Sequence, residues 1–137
     1  MRLAGNITRD GKFWLIEVPI LDVFTQGRSR REAFKMIADA IETLVNKDSF
    51  KIDVYPGDGS YFEISSNDKA ILTAFLLKRQ RIRHGVTLEE AARRLGVKSV
   101  NAYARYEKGE SIPTMSKFNA LWHAVSPDLD FVLSECA

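Results

Sequence analysis

The sequence predicts an α+β protein, in which a small sheet-plus-helix domain precedes an all-α domain. Before residue 66, short runs of β-branched and aromatic residues alternate with turn residues, and only one segment has helical periodicity. After residue 66, apolar residues recur at spacings of three and four between capping residues and glycines. The predicted domains therefore span residues 1–65 and 66–137.

Three short strands open the first domain. Residues 6–8 and Phe13–Val18 flank Arg9-Asp10-Gly11-Lys12, whose Asp-Gly pair tolerates the positive φ of a hairpin turn. The second run is rich in β-branched and aromatic residues and ends at Pro19. A third run, residues 21–25, closes at Gln26-Gly27. These runs predict a meander.

A helix over residues 30–46 follows the meander. Ser29 and Glu32 have the spacing of a capping box, in which each side chain bonds a free amide of the first turn. The apolar stripe of this helix consists of Phe34, Ile37, Ile41, Leu44 and Val45. Two more strands are predicted at residues 50–55 and 61–64, around a Pro-Gly-Asp-Gly turn. The order β-β-β-α-β-β places the helix on one face of the sheet.

Four helices are predicted in the second domain. The first follows the capping residues 65–68 and ends at Gly85; its apolar face includes Ile71, Leu72, Phe75, Leu76, Arg79 and Ile82, with Lys78, Arg81 and Arg83 off that face. The second opens with the capping box Thr87–Glu90 and ends at Gly96, and the third runs from the cap Ser99 to Gly109. The fourth starts at Pro113-Thr114, and a last turn or helix starts at Pro127.

Composition excludes several classes of protein. The 137 residues are 45% hydrophobic and 28% charged, which are the proportions of a globular chain. No apolar run reaches the roughly 20 residues of a membrane span, and the N-terminus turns polar too early for a secretory signal. The single cysteine, Cys136, favours a reducing compartment, so we expect a cytoplasmic protein without a disulfide, zinc site or cofactor.

Charge divides the chain. Residues 1–66 hold 9 basic and 10 acidic side chains, whereas residues 67–137 hold 11 and 8. The stretch from Lys78 to Arg105 contains eight basic residues against Glu89 and Glu90. A locally basic second half favours nucleic acid as its partner.

The first domain offers no catalytic constellation. Its acids, Asp10, Asp22, Asp39, Asp53 and Asp58, are scattered and fit turns or a solvated surface. We therefore expect no enzymatic activity. A small basic cluster of Arg28, Arg30 and Arg31 at the start of the helix is either a tolerated surface feature or a contact for an acidic or nucleic-acid partner.

The middle of the second domain predicts a helix-turn-helix. Ala92 is small enough for its helix to approach the next one, Gly96 permits the left-handed turn, and Val97 and Tyr103 can fill the seam. The N-terminal end of the third helix then enters the major groove, where Asn101 suits adenine and Arg105 suits guanine or phosphate. The candidate DNA-contacting residues are Thr87, Lys98, Ser99, Val100, Asn101, Ala102 and Arg105.

Two stretches carry a family resemblance. Residues 87–97 (TLEEAARRLGV) and 105–109 (RYEKG), followed by Pro113, resemble the Xre/λ-repressor-like helix-turn-helix family over about residues 70–133. The resemblance implies binding to a double-stranded DNA operator. Because one helix-turn-helix reads only a half-site, we expect a homodimer or higher even oligomer. An apolar seam for this association is available in the fourth helix and Phe131-Val132-Leu133.

The whole chain resembles HicB-type antitoxins more narrowly. The likeness lies in the strands followed by Thr25-Gln26-Gly27, the Ser29–Ala33 helix start and residues 101–109. It implies a partial RNase-H-like first domain without catalytic residues, which blocks a small HicA-like ribonuclease toxin, and a second domain that represses its own promoter. The alternative is a regulator whose first domain senses a ligand or partner, with no toxin.

Overall fold

The computed structural model describes residues 1–136 and has the α+β architecture that the sequence predicts. Its N-terminal half contains strands β1 (Leu3–Asp10), β2 (Phe13–Val18) and β3 (Val23–Gly27), helix α1 (Arg30–Val45), and strands β4 (Ile52–Pro56) and β5 (Tyr61–Ser66). The C-terminal half contains α2 (Lys69–Arg83), α3 (Leu88–Leu95), α4 (Val100–Glu107) and α5 (Met115–Val125). No helix within residues 1–136 is long and apolar enough to cross a membrane.

The five strands form one sheet in the order β3-β2-β1-β5-β4, with all neighbours antiparallel. The meander is confirmed, and a short 3₁₀ turn, Pro19–Leu21, joins β2 to β3. Successive side chains of each strand point to opposite faces of the sheet. Ile7, Ile16 and Val23 are buried, whereas Leu15 and Phe24 lie on the face turned away from α1, the outer face.

Local capping fixes the start of α1. The Ser29 hydroxyl accepts a hydrogen bond from the Glu32 amide at 3.0 Å. The Glu32 carboxylate reaches back one residue beyond the cap, to the Arg28 amide at 2.5 Å. Arg30, from the basic cluster of the sequence, donates to the carbonyl of Gly59 at 3.0 Å and so ties the start of α1 to the β4–β5 turn.

Helix α2 packs on both halves of the chain. Leu72, Phe75 and Leu76 join the core of the sheet and α1, whereas the next residue, Leu77, belongs to a separate core among α3, α4 and α5. Because consecutive side chains of a helix point about 100° apart, one helix serves both cores. The sequence-based boundary at residue 66 falls just before this shared helix.

Side chains of α2 also hold the 3₁₀ turn. Arg79 donates to the carbonyls of Leu21 at 2.8 Å and Asp22 at 2.6 Å. The Gln80 amide donates to Ile20 at 2.6 Å, and Arg83 to Pro19 at 3.4 Å. Four consecutive carbonyls, those of residues 19–22, are thus bound by one helix; we call this contact the carbonyl clamp.

One detail of the second half differs from the sequence prediction. Ile82, predicted on the buried face of α2, is 50% exposed, because Arg79, Gln80 and Arg83 make the contact of this turn with the sheet half. The last turn or helix expected from Pro127 is a turn, at residues 127–128, and residues 129–136 form no helix.

Candidate DNA-binding interface

Helices α3 and α4 are joined by a tight left-handed turn. The Thr87 hydroxyl caps α3 by accepting from the Glu90 amide at 3.1 Å. At the other end, Gly96 has φ of 80°, a conformation in which a Cβ atom would be strained. The Gly96 amide donates a hydrogen bond to the Arg93 carbonyl, and the Val97 amide donates one to the Ala92 carbonyl, both at 3.1 Å. This pair of hydrogen bonds is the Schellman motif, which ends α3 and changes the direction of the chain.

The turn delivers α4 with a defined start. The Ser99 hydroxyl accepts from the Ala102 amide at 3.2 Å, as predicted for an N-cap. The buried side of the seam contains Ala91, Ala92 and the fully buried Tyr103, with Val97 packed against them. The predicted plugging of the helix seam by Val97 and Tyr103 is therefore confirmed.

An ion pair anchors the inner side of α4 to α2. The Arg81 guanidinium donates to both carboxylate oxygens of Glu107, at 2.5 and 3.2 Å, and to the Val86 carbonyl at 3.1 Å. The Tyr103 hydroxyl donates to the same carboxylate at 2.7 Å. Burial, followed by the negative charge of Glu107, raises the pKa of Tyr103. The bond to Glu107 raises the pKa of Arg81. These three residues form the anchor of α4.

Sequence reasoning missed this anchor. It assigned Arg81 to the polar side of α2, but the Arg81 side chain is only 15% exposed. Glu107 is the one acidic residue within α4, and its position one turn after Tyr103 was the available signal. An isolated acid on an otherwise apolar helix face favours a buried partner, because an unpaired charge there is costly.

The outer side of α4 carries the predicted base-reading residues. Asn101 and Arg105 stand one helical turn apart and are both exposed, as is Lys98 in the preceding turn. Val100 and Ala102 are half-buried, which leaves them less surface to offer a ligand. The hydroxyls of Thr87 and Ser99 are engaged as caps at the starts of α3 and α4.

Half of the basic stretch is used inside the protein. Arg79 and Arg83 bind the carbonyl clamp, Arg81 pairs with Glu107, and Arg94 donates to the Ala124 carbonyl at 3.2 Å. The basic side chains of the stretch that make no hydrogen bond or ion pair with residues 1–136 are Lys78, Arg93, Lys98 and Arg105. The cations left for an external partner are therefore centred on the α3–α4 unit.

Comparison with known families decides the nature of this unit. Residues 77–121, from the second half of α2 into α5, match the helix-turn-helix family HTH_3. These residues form a helix-turn-helix domain. It is of the Xre/λ-repressor-like, DNA-binding type found in regulators, which confirms that part of the resemblance seen in the sequence. A search among curated proteins found no match.

In the helix-turn-helix domain, α4 occupies the position of the recognition helix. Its inner side is fixed by Tyr103 and the Arg81–Glu107 pair, and its outer side is polar and cationic. Such a helix can present side chains to the major groove while its neighbours meet phosphates.

Residues 1–136 contain no cluster of three or more His, Cys, Asp or Glu side chains able to hold a metal ion.

Proposed function

We propose that this protein is a homodimeric transcriptional autorepressor, and that it acts as the antitoxin of a HicA-like ribonuclease toxin. The observation that carries the repressor role is the pair Asn101 and Arg105, exposed one turn apart on a recognition helix whose other side is anchored. Because one helix-turn-helix reads one half-site, two copies bind a two-fold operator with half-sites about 34 Å apart. The protein acts by binding and not by catalysis.

The base contacts are assigned by hydrogen-bonding geometry. The Asn101 amide matches the N6 and N7 edge of adenine, and the Arg105 guanidinium matches the O6 and N7 edge of guanine or a phosphate. Lys98 precedes the helix cap and, as an exposed cation, contacts the phosphate backbone. Base contacts give sequence preference, whereas the lysine contributes affinity for any duplex.

Fluorescence anisotropy with DNA from upstream of the gene tests the repressor role. Asn101→Ala and Arg105→Ala should each weaken specific binding by about 1–3 kcal/mol, and Lys98→Ala should lower the salt dependence by about one ion. Lys35→Ala is the matched control, since it removes an exposed cation from α1, outside the helix-turn-helix domain. Unchanged affinity in both α4 variants would contradict the assignment.

The toxin-binding role is proposed for the N-terminal half. Its outer sheet face exposes Phe13 and Leu15, each at 40%, and Tyr61 at 45%. On the same face, Glu63 lies next to Tyr61 but is buried; it accepts hydrogen bonds from Tyr61 and Arg2, and these bonds lower its pKa. Exposed apolar side chains on a sheet face suit a protein partner better than a small ligand.

Co-purification from the native host tests the toxin-binding role. We expect a small ribonuclease, encoded beside this gene, to be retained by the wild-type protein and inhibited by it. Leu15→Lys should reduce retention while leaving operator binding intact, because it adds a charge only to the outer face. Absence of such a neighbour, together with retention of a metabolite or another protein, would support the alternative, a regulator with a sensing domain.

A further inference from the structure

The two edges of the sheet differ in their protection. Edge strand β4 carries Asp53 and ends at Pro56, a charge and a residue without an amide hydrogen. Edge strand β3, Val-Phe-Thr-Gln-Gly, has neither charge nor proline. Its hydrogen-bonding edge opposite β2 pairs with no other strand within residues 1–136. Natural proteins protect free edges with such features, so an edge without them indicates a strand that pairs with another chain.

Apolar side chains surround this edge. Phe24, on the outer face of β3, is 78% exposed. Above the strand, α1 presents Met36, Ala40 and Leu44 at intervals of four residues, and these line a groove with Val23 and Thr25. Met36 is 38% and Leu44 49% exposed. The strand and the helix thus form one surface, the β3–α1 edge.

The absence of charge on β3 permits it to pair with a copy of the same chain. A second copy brings identical side chains, so a charged strand would face its own charge, whereas β3 is neutral along its whole length. Asp22, at one end of the groove, is 3.8 Å from Arg79 of its own chain, and Asp39 on α1 is exposed to water. We infer that the β3–α1 edge is a homodimer interface, in which β3 pairs antiparallel with β3 of a second copy.

The two elements share one axis of symmetry. When the two β3 strands pair antiparallel about an axis at Phe24, the two Phe24 rings face each other on the outer face. On the inner face, Val23 of each strand lies opposite Thr25 of the other. Centred on Ala40, the two α1 helices run antiparallel, with Met36 of each beside Leu44 of the other. The small Ala40 side chain at the axis lets the helices approach. An isologous contact needs this self-complementarity.

The seam expected from the sequence is less suited to this role. Phe131 packs within its own chain, with its ring centroid 5.3 Å from Phe118 and 5.4 Å from Trp122. Val132 and Leu133 are exposed, at 89% and 74%, but belong to a short segment without regular secondary structure.

This inference rests on the proposed dimeric repressor and names its interface. Its test is the mass of the full chain in sedimentation without DNA, so a failure here is distinguishable from a failure of operator binding. Wild-type protein at micromolar concentration should sediment as a dimer or higher even oligomer. Phe24→Lys and Phe24→Glu should each halve that mass, because like charges then face each other across the two-fold axis.

Mixing the variants makes the test specific. An equimolar mixture of Phe24→Lys and Phe24→Glu should recover the wild-type mass, as the lysine of one chain faces the glutamate of the other. Val132→Lys is the control and should leave the mass unchanged. A monomeric wild type, a mass unaffected by both Phe24 variants, a mixture that fails to recover it, or dissociation by Val132→Lys would each overturn the inference. The inference would also be overturned if the Phe24 variants kept the wild-type mass but no longer co-purified with a second, different protein that the wild type retains.

Discussion

The anchor of α4 allows a quantitative prediction for Glu107→Ala. The substitution removes both carboxylate oxygens that accept from Arg81 and from the Tyr103 hydroxyl. The Glu107 side chain is 8% exposed and that of Arg81 15%, so little water can replace the lost contacts. The remaining guanidinium keeps only its bond to the Val86 carbonyl.

Breaking a buried pair by removing one partner costs about 3–5 kcal/mol, mainly because the other charge is left buried. Arg81 retains one carbonyl acceptor and some exposure, which favours the lower end, so we expect Glu107→Ala to lower the free energy of unfolding by about 3 kcal/mol. Arg81→Met should cost a similar amount. The double variant should cost less than the sum of the two single changes, with a coupling of about 2 kcal/mol.

Urea unfolding followed by far-UV circular dichroism measures these free energies, and DNA anisotropy on the same variants reports the position of α4. Glu107→Ala should weaken DNA binding even though this residue lies on the inner side of α4. Strictly additive costs for Arg81→Met and Glu107→Ala would refute the reasoning, because independent effects mean that the two side chains do not interact.

Two further predictions concern Tyr103 and two glycines. Since the pKa of Tyr103 is raised in the fold, the unfolded chain loses this proton first, and stability falls as the pH rises above about 10. Between pH 10 and 11, the free energy of unfolding should therefore fall less steeply with pH in Tyr103→Phe than in the wild type, by up to about 1.4 kcal/mol per pH unit. Equal slopes in the two proteins would contradict this. Gly96→Ala should cost about 1–2 kcal/mol from its left-handed backbone alone, because its Cβ meets no atom within 4 Å. Gly27→Ala should cost more by the same urea assay, because a Cβ there would lie 2.5 Å from the Ala33 nitrogen of α1. Equal costs would argue against this close packing.

Features governed by local chemistry could be predicted from the sequence. Ser29, Thr87 and Ser99 each cap the expected helix, because the cap bond joins residues only three apart. Gly96 ends α3 as expected, since a left-handed residue is required there. The helix-turn-helix was visible for the same reason, since its turn and seam occupy a dozen consecutive residues.

Features governed by distant contacts could not be predicted. β5 lies between β1 and β4, an order set by the pairing of Leu3 with Ile64, far apart in sequence. Likewise, nothing local separates Arg79 and Arg81, which bind inside the protein, from Lys78, which does not. Leu21, which accepts from Arg79, is 58 residues away, and Glu107, which pairs with Arg81, is 26 residues away, so the surface charge of the interface emerges only from the fold.

The carbonyl clamp opposes motion of α2 relative to the sheet. With the backbone of residues 19–22 held by three side chains of α2, neither half can swing against the other without giving up several hydrogen bonds at once. We therefore expect a partner that binds the sheet to affect DNA binding through the proposed dimer, and not through motion of one half against the other.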